Sequence, residues 1–380
     1  MNLRPIPSHK RFRISELCEL TKGSFPTLRT QPGDFPLVVT ADFRRSADGW
    51  DIAGPAVCIP LISSTGHGDA AINRVHYQEG KFALANLLVA LTPKKDAPVV
   101  AKYLYFLLGA QKDKLLVPLM MGTANVSLKP KDIAEVEIEL PTIEIQKRII
   151  ERIDKVQLQL QAVDKLRVSI DRDIASLLSV RFQETLTHAK WLPMSEVAPI
   201  VRRDITVDDQ SKYAELGIRS FGKGTFHKPT LSGLELGEKR VYRIEPGDLL
   251  FSNVFAWEGA IAVTQPEDAG RVGSHRFISC VPHDGLTTAE YLRYYFLTDE
   301  GMTKIRDASP GGAGRNRTLG LSKLMDLNVP IPSIEVREAF IDLLRLLNAS
   351  RLIRSQQLIE NESVVPALVN RLMANSEIAE

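Results

Sequence analysis

The sequence has little of what would mark an exported, membrane-bound or metal-bearing protein. Its three cysteines, Cys18, Cys58 and Cys280, stand far apart, so neither a disulfide framework nor a zinc site can be read from them. Such usage fits a reducing cytosol, and a cytoplasmic location is expected. No run of eighteen apolar residues exists, so no membrane-spanning helix is predicted. The opening Met1-Asn2-Leu3-Arg4-Pro5-Ile6-Pro7 lacks an apolar signal core and predicts no export. An excess of one charge is missing as well: 48 Lys and Arg against 46 Asp and Glu leave a formal +2. An anionic partner must therefore be met by a local patch, not by bulk charge. The 380 residues, 44% hydrophobic and 25% charged, suit a folded chain of two domains.

Catalytic signatures are also missing. There is no dinucleotide-type glycine fingerprint, no His-Glu-x-x-His and no Gly-x-Ser-x-Gly, nor an Asn/Asp-Pro-Pro-aromatic to grip a flipped base. The segment nearest to a phosphate loop is Gly217-Ile-Arg-Ser-Phe-Gly222-Lys223-Gly224-Thr225. A phosphate loop needs a hydroxyl directly after the lysine and then a helix; here Gly224 follows, and Phe226-His227-Lys228-Pro229 comes next. It reads as a strand-to-turn segment with exposed basic residues. Asp248 and Glu258 could join a nuclease-like carboxylate cluster, but spacing this loose is common. A self-contained nuclease or nucleotide-dependent enzyme is a rival reading; catalysis by the chain itself is not expected.

What the sequence does have is internal repetition. Leu140-Pro-Thr-Ile-Glu-Ile145 returns as Ile331-Pro-Ser-Ile-Glu-Val336, an offset of 191 residues. The same offset pairs Asn125 with Asn316, Ser127 with Thr318, Leu128 with Leu319 and Ile133 with Leu324. Further upstream the offset drifts, as loops of unequal length require. Tyr103-Leu104 matches Tyr291-Leu292, Ser15-Glu16-Leu17 matches Ser195-Glu196-Val197, and Lys81-Phe82 matches Arg276-Phe277. Val136, Ile138 and Leu140 alternate with glutamates, the period of a half-buried strand ended by Pro141. Pro330 within the second copy predicts an edge position. Val57-Cys58-Ile59 and the run from Leu84 to Leu91 predict buried strands or strand–helix junctions. Each half is therefore mixed α and β.

From Glu144 to about His188 there is neither proline nor glycine. Apolar residues recur at Ile145, Ile149, Ile153, Val156, Leu160, Val163, Ile170, Ile174 and Leu177, a coiled-coil seam on a helix on the order of 60 Å long. The run after Pro332 carries Val336, Phe340, Leu344, Leu347, Leu358, Val365, Leu368 and Leu372. Arg351 and Arg354 fall near seam positions, and Pro366 is expected to kink or break the helix. Neither helix can cover its own apolar stripe, so the two are expected to pack together antiparallel. A pure coiled-coil scaffold is a second rival reading.

The polar loops hold the candidate contacts. Pro310-Gly311-Gly312-Ala313-Gly314-Arg315-Asn316-Arg317 sets arginines among glycines, which let backbone approach another surface closely. Arginine forks suit guanine edges or phosphates, and asparagine suits adenine. The matching first-half loop keeps Gly122, Thr123 and Asn125 but has no arginine. The plainer reading of both is a solvated turn that caps the next helix. Further candidates are Ser64 and His67 in the first half and Arg219, Lys223, Ser252, Asn253 and Arg276 in the second. Trp257 reads equally as a turn aromatic or a contact; Phe82 and Phe277 read as core.

The run from Leu140 to Asp154 with its echo at 331–336 carries a family resemblance. So do Gly247-Asp-Leu-Leu-Phe-Ser252 with Trp257-Glu-Gly-Ala-Ile-Ala262 and the Gly-Arg-Asn-Arg loop before Leu319. In these features the chain resembles the specificity subunit of type I restriction–modification enzymes. One departure is Arg337, which stands where the first copy has Gln146, the residue habitual in that family. The resemblance implies an α+β fold of two similar target-recognition modules in pseudo-twofold arrangement, each followed by a long helix, with the helices packed as an antiparallel coiled coil. The implied domains are residues 1–143 and 191–333 for recognition and 144–190 and 334–380 as spacers. It implies that the chain reads a split, asymmetric double-stranded DNA target, with half-sites about 34 Å apart. It would dock two methyltransferase subunits and the motor–nuclease (restriction/translocase) subunits. S-adenosylmethionine, ATP and magnesium would sit on those partners, and this chain would bind no cofactor.

Overall fold

The computed structural model describes residues 10–65, 68–123, 125–311 and 317–374. They fall into two compact units, Met1–Val168 with Arg354–Glu380 and Ser169–Ile353. Each unit contains one module, and the two modules share a topology strand for strand. One four-stranded sheet of the first runs Cys18–Lys22, Leu88–Pro93, Ala56–Pro60, His76–Gln78; its equivalent in the second runs Ile200–Val201, Phe277–Cys280, Leu249–Ser252, Ile261–Val263. The other four-stranded sheet, the hairpin sheet, is Arg44–Ala47, Phe35–Val38, Lys81–Leu84, Ile52–Ala53 in one and Thr225–Ser232, Lys212–Ile218, Val272–Ser274, Val241–Arg243 in the other. In both hairpin sheets the middle pair of strands is parallel. A two-stranded ribbon closes each module, Lys10–Arg13 with Glu137–Leu140 and Lys190–Pro193 with Asn328–Ile331. Pro330 lies opposite Trp191 in the second ribbon, where an amide is not needed on its outer side.

This topology corrects one pairing. Lys81-Phe82 and Arg276-Phe277 are not equivalent: Phe82 lies in the strand whose counterpart is Val272–Ser274, whereas Phe277 opens the strand matching Leu88–Pro93. A basic–aromatic dipeptide is too short to set a register. The other local matches coincide with the same elements. Ser15-Glu16-Leu17 and Ser195-Glu196-Val197 form the single helical turn after the first ribbon strand. Tyr103 and Tyr291 are fully buried at equivalent places in the helices Ala101–Leu115 and Ala289–Phe296.

The proline- and glycine-free run is a 44-residue helix, Ile143–Leu186, and its echo is the helix Ile334–Ala374, which continues through Pro366. Val365, Leu368, Val369, Leu372 and Met373 pack against the first unit's core on both sides of that proline, which holds the helix where an isolated one would break. In the first unit Ile145, Ile149 and Ile153 share a cluster with Val369 and Leu372. In the second unit Ile174, Leu178 and Phe182 share one with Phe340, Leu344 and Leu347. The start of each long helix thus packs with the end of the other, and the pair is antiparallel. The seam departs from its expected course in the middle, where Val163 and Ile170 are 47% and 41% exposed. Arg351, placed near the seam by its spacing, lies 3.7 Å from Asp171 of the other helix.

Phe182 anchors the second unit, with ring centroids 4.9 Å from Tyr294 and 5.4 Å from both Tyr291 and Phe340. The three cysteines are free and buried, and burial pushes each thiol up to about 12.

A buried polar clasp joins each long helix to its module. Gln146 is fully buried; its Oε1 accepts from the Val100 amide at 2.9 Å and its Nε2 donates to the Pro98 and Pro141 carbonyls at 3.0 and 2.9 Å. Arg337, in the same place on the second helix, is 4% exposed and donates to the Leu286 carbonyl at 2.5 Å. Both side chains reach the loop that leads into the tyrosine helix, so arginine replaces glutamine without loss of the clasp. Gln146→Ala would strand Val100 N–H and two carbonyls. It is expected to cost about 2–4 kcal/mol in chemical denaturation and to speed exchange of the Val100 amide; Gln146→Glu, which cannot donate to the carbonyls, should be at least as damaging.

His76 supplies a pH dependence. It is 4% exposed, its Nδ1 is 3.4 Å from Arg44, and burial followed by the Arg44 and Arg74 charges lowers its pKa to about 4. The unfolded chain takes up this proton near pH 6.5 and the folded one only near 4, so the stability present above 6.5 is lost as the pH falls between them. The expected loss is about 3 kcal/mol by pH 4. Urea titrations at stepped pH should show that slope, and His76→Leu should flatten it.

Candidate nucleic-acid interface

In the second module the candidates gather at the end of the strand Leu249–Ser252. Asn253 follows that strand directly; its carbonyl accepts from the Leu319 amide at 2.8 Å, and its side-chain Nδ2 donates to the Leu319 carbonyl at 3.1 Å. Its own amide donates to the Arg276 carbonyl at 2.7 Å. Asn253 therefore ties the arginine loop and the Arg276 turn to one strand end. Its amide is committed to that support, and Ser252 is buried behind it. Neither is presented outward.

What is presented is cationic. Arg317 lies 5.4 Å over the Trp257 ring, and Trp257 is held in its turn by Nε1 donating to the Val254 carbonyl at 2.9 Å. Trp257 is thus a turn aromatic that serves as a shelf for an arginine. Arg276 is exposed on the turn whose carbonyl accepts from the Asn253 amide. Arg219 and Lys223 stand on the tip of the hairpin Lys212–Ile218/Thr225–Ser232. That tip is fastened to the Trp257 turn: the Phe221 and Gly222 amides donate to the Glu258 and Gly259 carbonyls, each at 2.8 Å. Arg219 is set by Nη1 donating to the Thr225 carbonyl at 2.8 Å and by the Phe226 ring 5.0 Å away. Arg219, Lys223, Trp257, Arg276 and Arg317 are therefore joined through one hydrogen-bonded frame. Gly314, Arg315 and Asn316 lie outside the described residues.

The 217–225 segment is a hairpin tip with no helix after it, which removes the geometry a phosphate loop needs. The two carboxylates weighed for a nuclease are separately engaged. Asp248 is buried with Arg203 donating to both its oxygens at 2.6 and 3.0 Å, and Glu258 accepts from Ser220 at 3.1 Å.

The first module has the same frame and different chemistry. The Leu128 amide donates to the Leu61 carbonyl at 2.9 Å, the counterpart of Leu319 to Asn253 at the 191-residue offset. Met121 and Ser127 exchange two backbone bonds, so Thr123 and Asn125 stand exposed on the turn between them. The Ser64 hydroxyl is exposed but accepts from the Asn73 amide at 3.0 Å. Gly68 brings its loop so near this turn that a Cβ there would lie 2.7 Å from the Thr123 carbonyl oxygen. His67 lies outside the described residues. Beside these loops is a groove of about 390 Å³ whose lining includes Asp42, Ser64, Asn73 and Arg74. Arg74 sits 3.2 Å from Asp42 and holds that carboxyl below its usual range. Asp42, Asn73 and Arg74 carry no motif, and only the fold brings them to Ser64.

Comparison with known proteins agrees with this architecture. Residues 8–170 match the family described as "Type I restriction modification DNA specificity domain". Curated relatives from Mycoplasma pneumoniae are 28–29% identical over 145 residues; among them is the specificity subunit of the type I restriction enzyme MpnII. These matches take in 36% of this chain, and the chain spans about half, 41–54%, of the length of those relatives. Two solved structures share the fold along nearly the whole chain. One is from a study of complex assembly and conformational transition of the type I R-M system, with TM-score 0.62 and 14% identity over 98% of this chain and 99% of that one. The other is the HsdS subunit from Thermoanaerobacter tengcongensis, with TM-score 0.56 and 16% identity over 97% and 96%. The match to the specificity-domain family thus lies on the first module and its long helix, and the second half of the chain repeats that module's topology strand for strand.

Proposed function

We propose that this chain is the DNA-reading subunit of a type I restriction–modification complex and recognises a split, asymmetric target, one part per module. The observation that carries this reading is the repeated frame. A loop is pinned to the same strand end by the same backbone bond in both modules, yet it bears threonine, asparagine and serine in one and an arginine over a tryptophan in the other. A common scaffold with different side chains at its tip suits two different base sequences. In this reading phosphate contacts set register, and the chain contributes no catalytic group.

The partners are two adenine methyltransferase subunits and the motor–nuclease subunits. S-adenosylmethionine, ATP and magnesium belong to those partners, and the complex acts in the cytoplasm. Docking is supported by the apolar residues that the long helices leave exposed, among them Leu158, Leu166 and Val180 on the first and Leu346 and Leu352 on the second. No helix among the described residues is long and apolar enough to cross a membrane.

Co-expression with an adenine methyltransferase partner and genome-wide mapping of methylated adenine should return two short specified runs around an unread gap. A contiguous motif, or none, would overturn the reading. Arg317→Ala should relax choice at one run only, by about 1–3 kcal/mol per contacted base, and leave the other unchanged. Unchanged choice and affinity would favour a scaffold. Leu158→Glu with Leu166→Glu should abolish co-purification with the methyltransferase while the isolated chain keeps its circular dichroism and melting temperature.

A further inference from the structure

Each module carries an exposed phenylalanine at the same place. The hairpin that edges the hairpin sheet, Phe35–Val38/Arg44–Ala47 in the first module and Lys212–Ile218/Thr225–Ser232 in the second, ends in a tip bearing Phe43, 55% exposed, or Phe221, 75% exposed. One exposed aromatic needs no explanation. The same residue type on the same tip of both copies does, because the tips are otherwise unlike: Val39-Thr-Ala-Asp-Phe43 against Arg219-Ser-Phe-Gly-Lys-Gly224.

Phe221 adds strain to exposure. Its φ is +61°, the left-handed region that bulky residues avoid, and no other non-glycine among the described residues has a positive φ. Glycine would sit there freely. The conformation is imposed by the amides of Phe221 and Gly222 on the Glu258 and Gly259 carbonyls, and by Arg293 donating to the Gly222 carbonyl at 2.6 Å. These bonds hold an apolar ring out in water, and strain kept up by its surroundings in this way is characteristic of working surfaces. The neighbours are cationic. Lys223 is 5.9 Å from the ring and Arg219 precedes it; Arg45 is exposed beyond Phe43, and Asp42 is paired with Arg74.

We propose that Phe43 and Phe221 are aromatic wedges, each entering between adjacent base pairs of duplex DNA within the part of the target its module reads. The inference rests on the reading of the chain as a DNA-specificity subunit. Apolar side chains inserted at a base step unstack it and kink the duplex, and flanking cations hold the phosphates on either side. Pyrimidine–purine steps open most readily, so a wedge selects sequence through deformability at a position without base-edge hydrogen bonds.

The test uses the full chain with its methyltransferase partner and duplexes carrying the methylated motif, with 2-aminopurine placed at successive steps. Binding should raise fluorescence at one step in each part of the target. Phe221→Gly should abolish the rise in one part and weaken duplex binding about tenfold. A mismatch already opening that step should restore the affinity. Since glycine is unstrained at this φ, the variant should melt at the same temperature or higher, which separates a lost wedge from a lost fold. Phe43→Ser should have the corresponding effect on the other part. No rise at any step, or a rise that survives Phe221→Gly, overturns the wedge while the split motif stands. Loss of methyltransferase binding in Phe221→Gly would assign the tip to a protein contact and overturn it as well. Failure to methylate any split motif would defeat the underlying reading and the wedge together.

Discussion

Each long helix is fastened to its module by one buried polar side chain in its opening turns, and the placement of everything downstream depends on that clasp. Gln146 satisfies an amide and two carbonyls at once. A buried group with that many partners fixes both the rotation of the helix and the path of the loop entering the tyrosine helix, because any slip would strand several polar atoms out of water. Arg337 shows that the constraint is a donor in the right place and not a particular residue type. Its guanidinium reaches the Leu286 carbonyl from the equivalent turn, so the substitution that set the second copy apart preserves the physical arrangement.

The two modules use the same economy at their other end. The Leu128–Leu61 and Leu319–Asn253 backbone bonds hold equivalent loops against equivalent strand ends. Backbone bonds are indifferent to side-chain identity, so such a frame can stay constant while the residues it displays change. In the second module it displays arginine over tryptophan and a cationic hairpin tip; in the first, small hydroxyl and amide side chains beside the Asp42–Arg74 pair. A net charge of +2 is compatible with both, since in the second module the exposed cations Arg219, Lys223 and Arg276 stand on neighbouring turns.

Much of the architecture was legible beforehand. The 191-residue offset located the duplication, and the absence of proline and glycine after Glu144 located a helix whose observed span is Ile143–Leu186. Legibility failed wherever the answer lay in contacts between distant segments. Lys81-Phe82 and Arg276-Phe277 looked alike and belong to different strands, because two residues carry no register. Pro366 does not end the second long helix, since tertiary packing on both sides outweighs its local penalty. The seam was placed through Leu177, whereas Leu178 and Phe182 are the buried residues that enter the module core.

The candidate site divides in the same way. The glycine–arginine loop, the hairpin lysine and the polar first-half loops were identified from residue type. Their roles were not, since Ser252 and Asn253 proved to be supports while Trp257, Asp42, Asn73 and Arg74 emerged as neighbours of the exposed groups. By itself the sequence determined that the chain is doubled, where its long helices run and which loops are polar, because these follow from periodicity and from backbone-breaking residues over short stretches. Only the tertiary structure decided which side chains face outward and which are spent on holding the loops, because that depends on hydrogen bonds between residues such as Asn253 and Leu319, 66 positions apart, whose meeting no local pattern encodes.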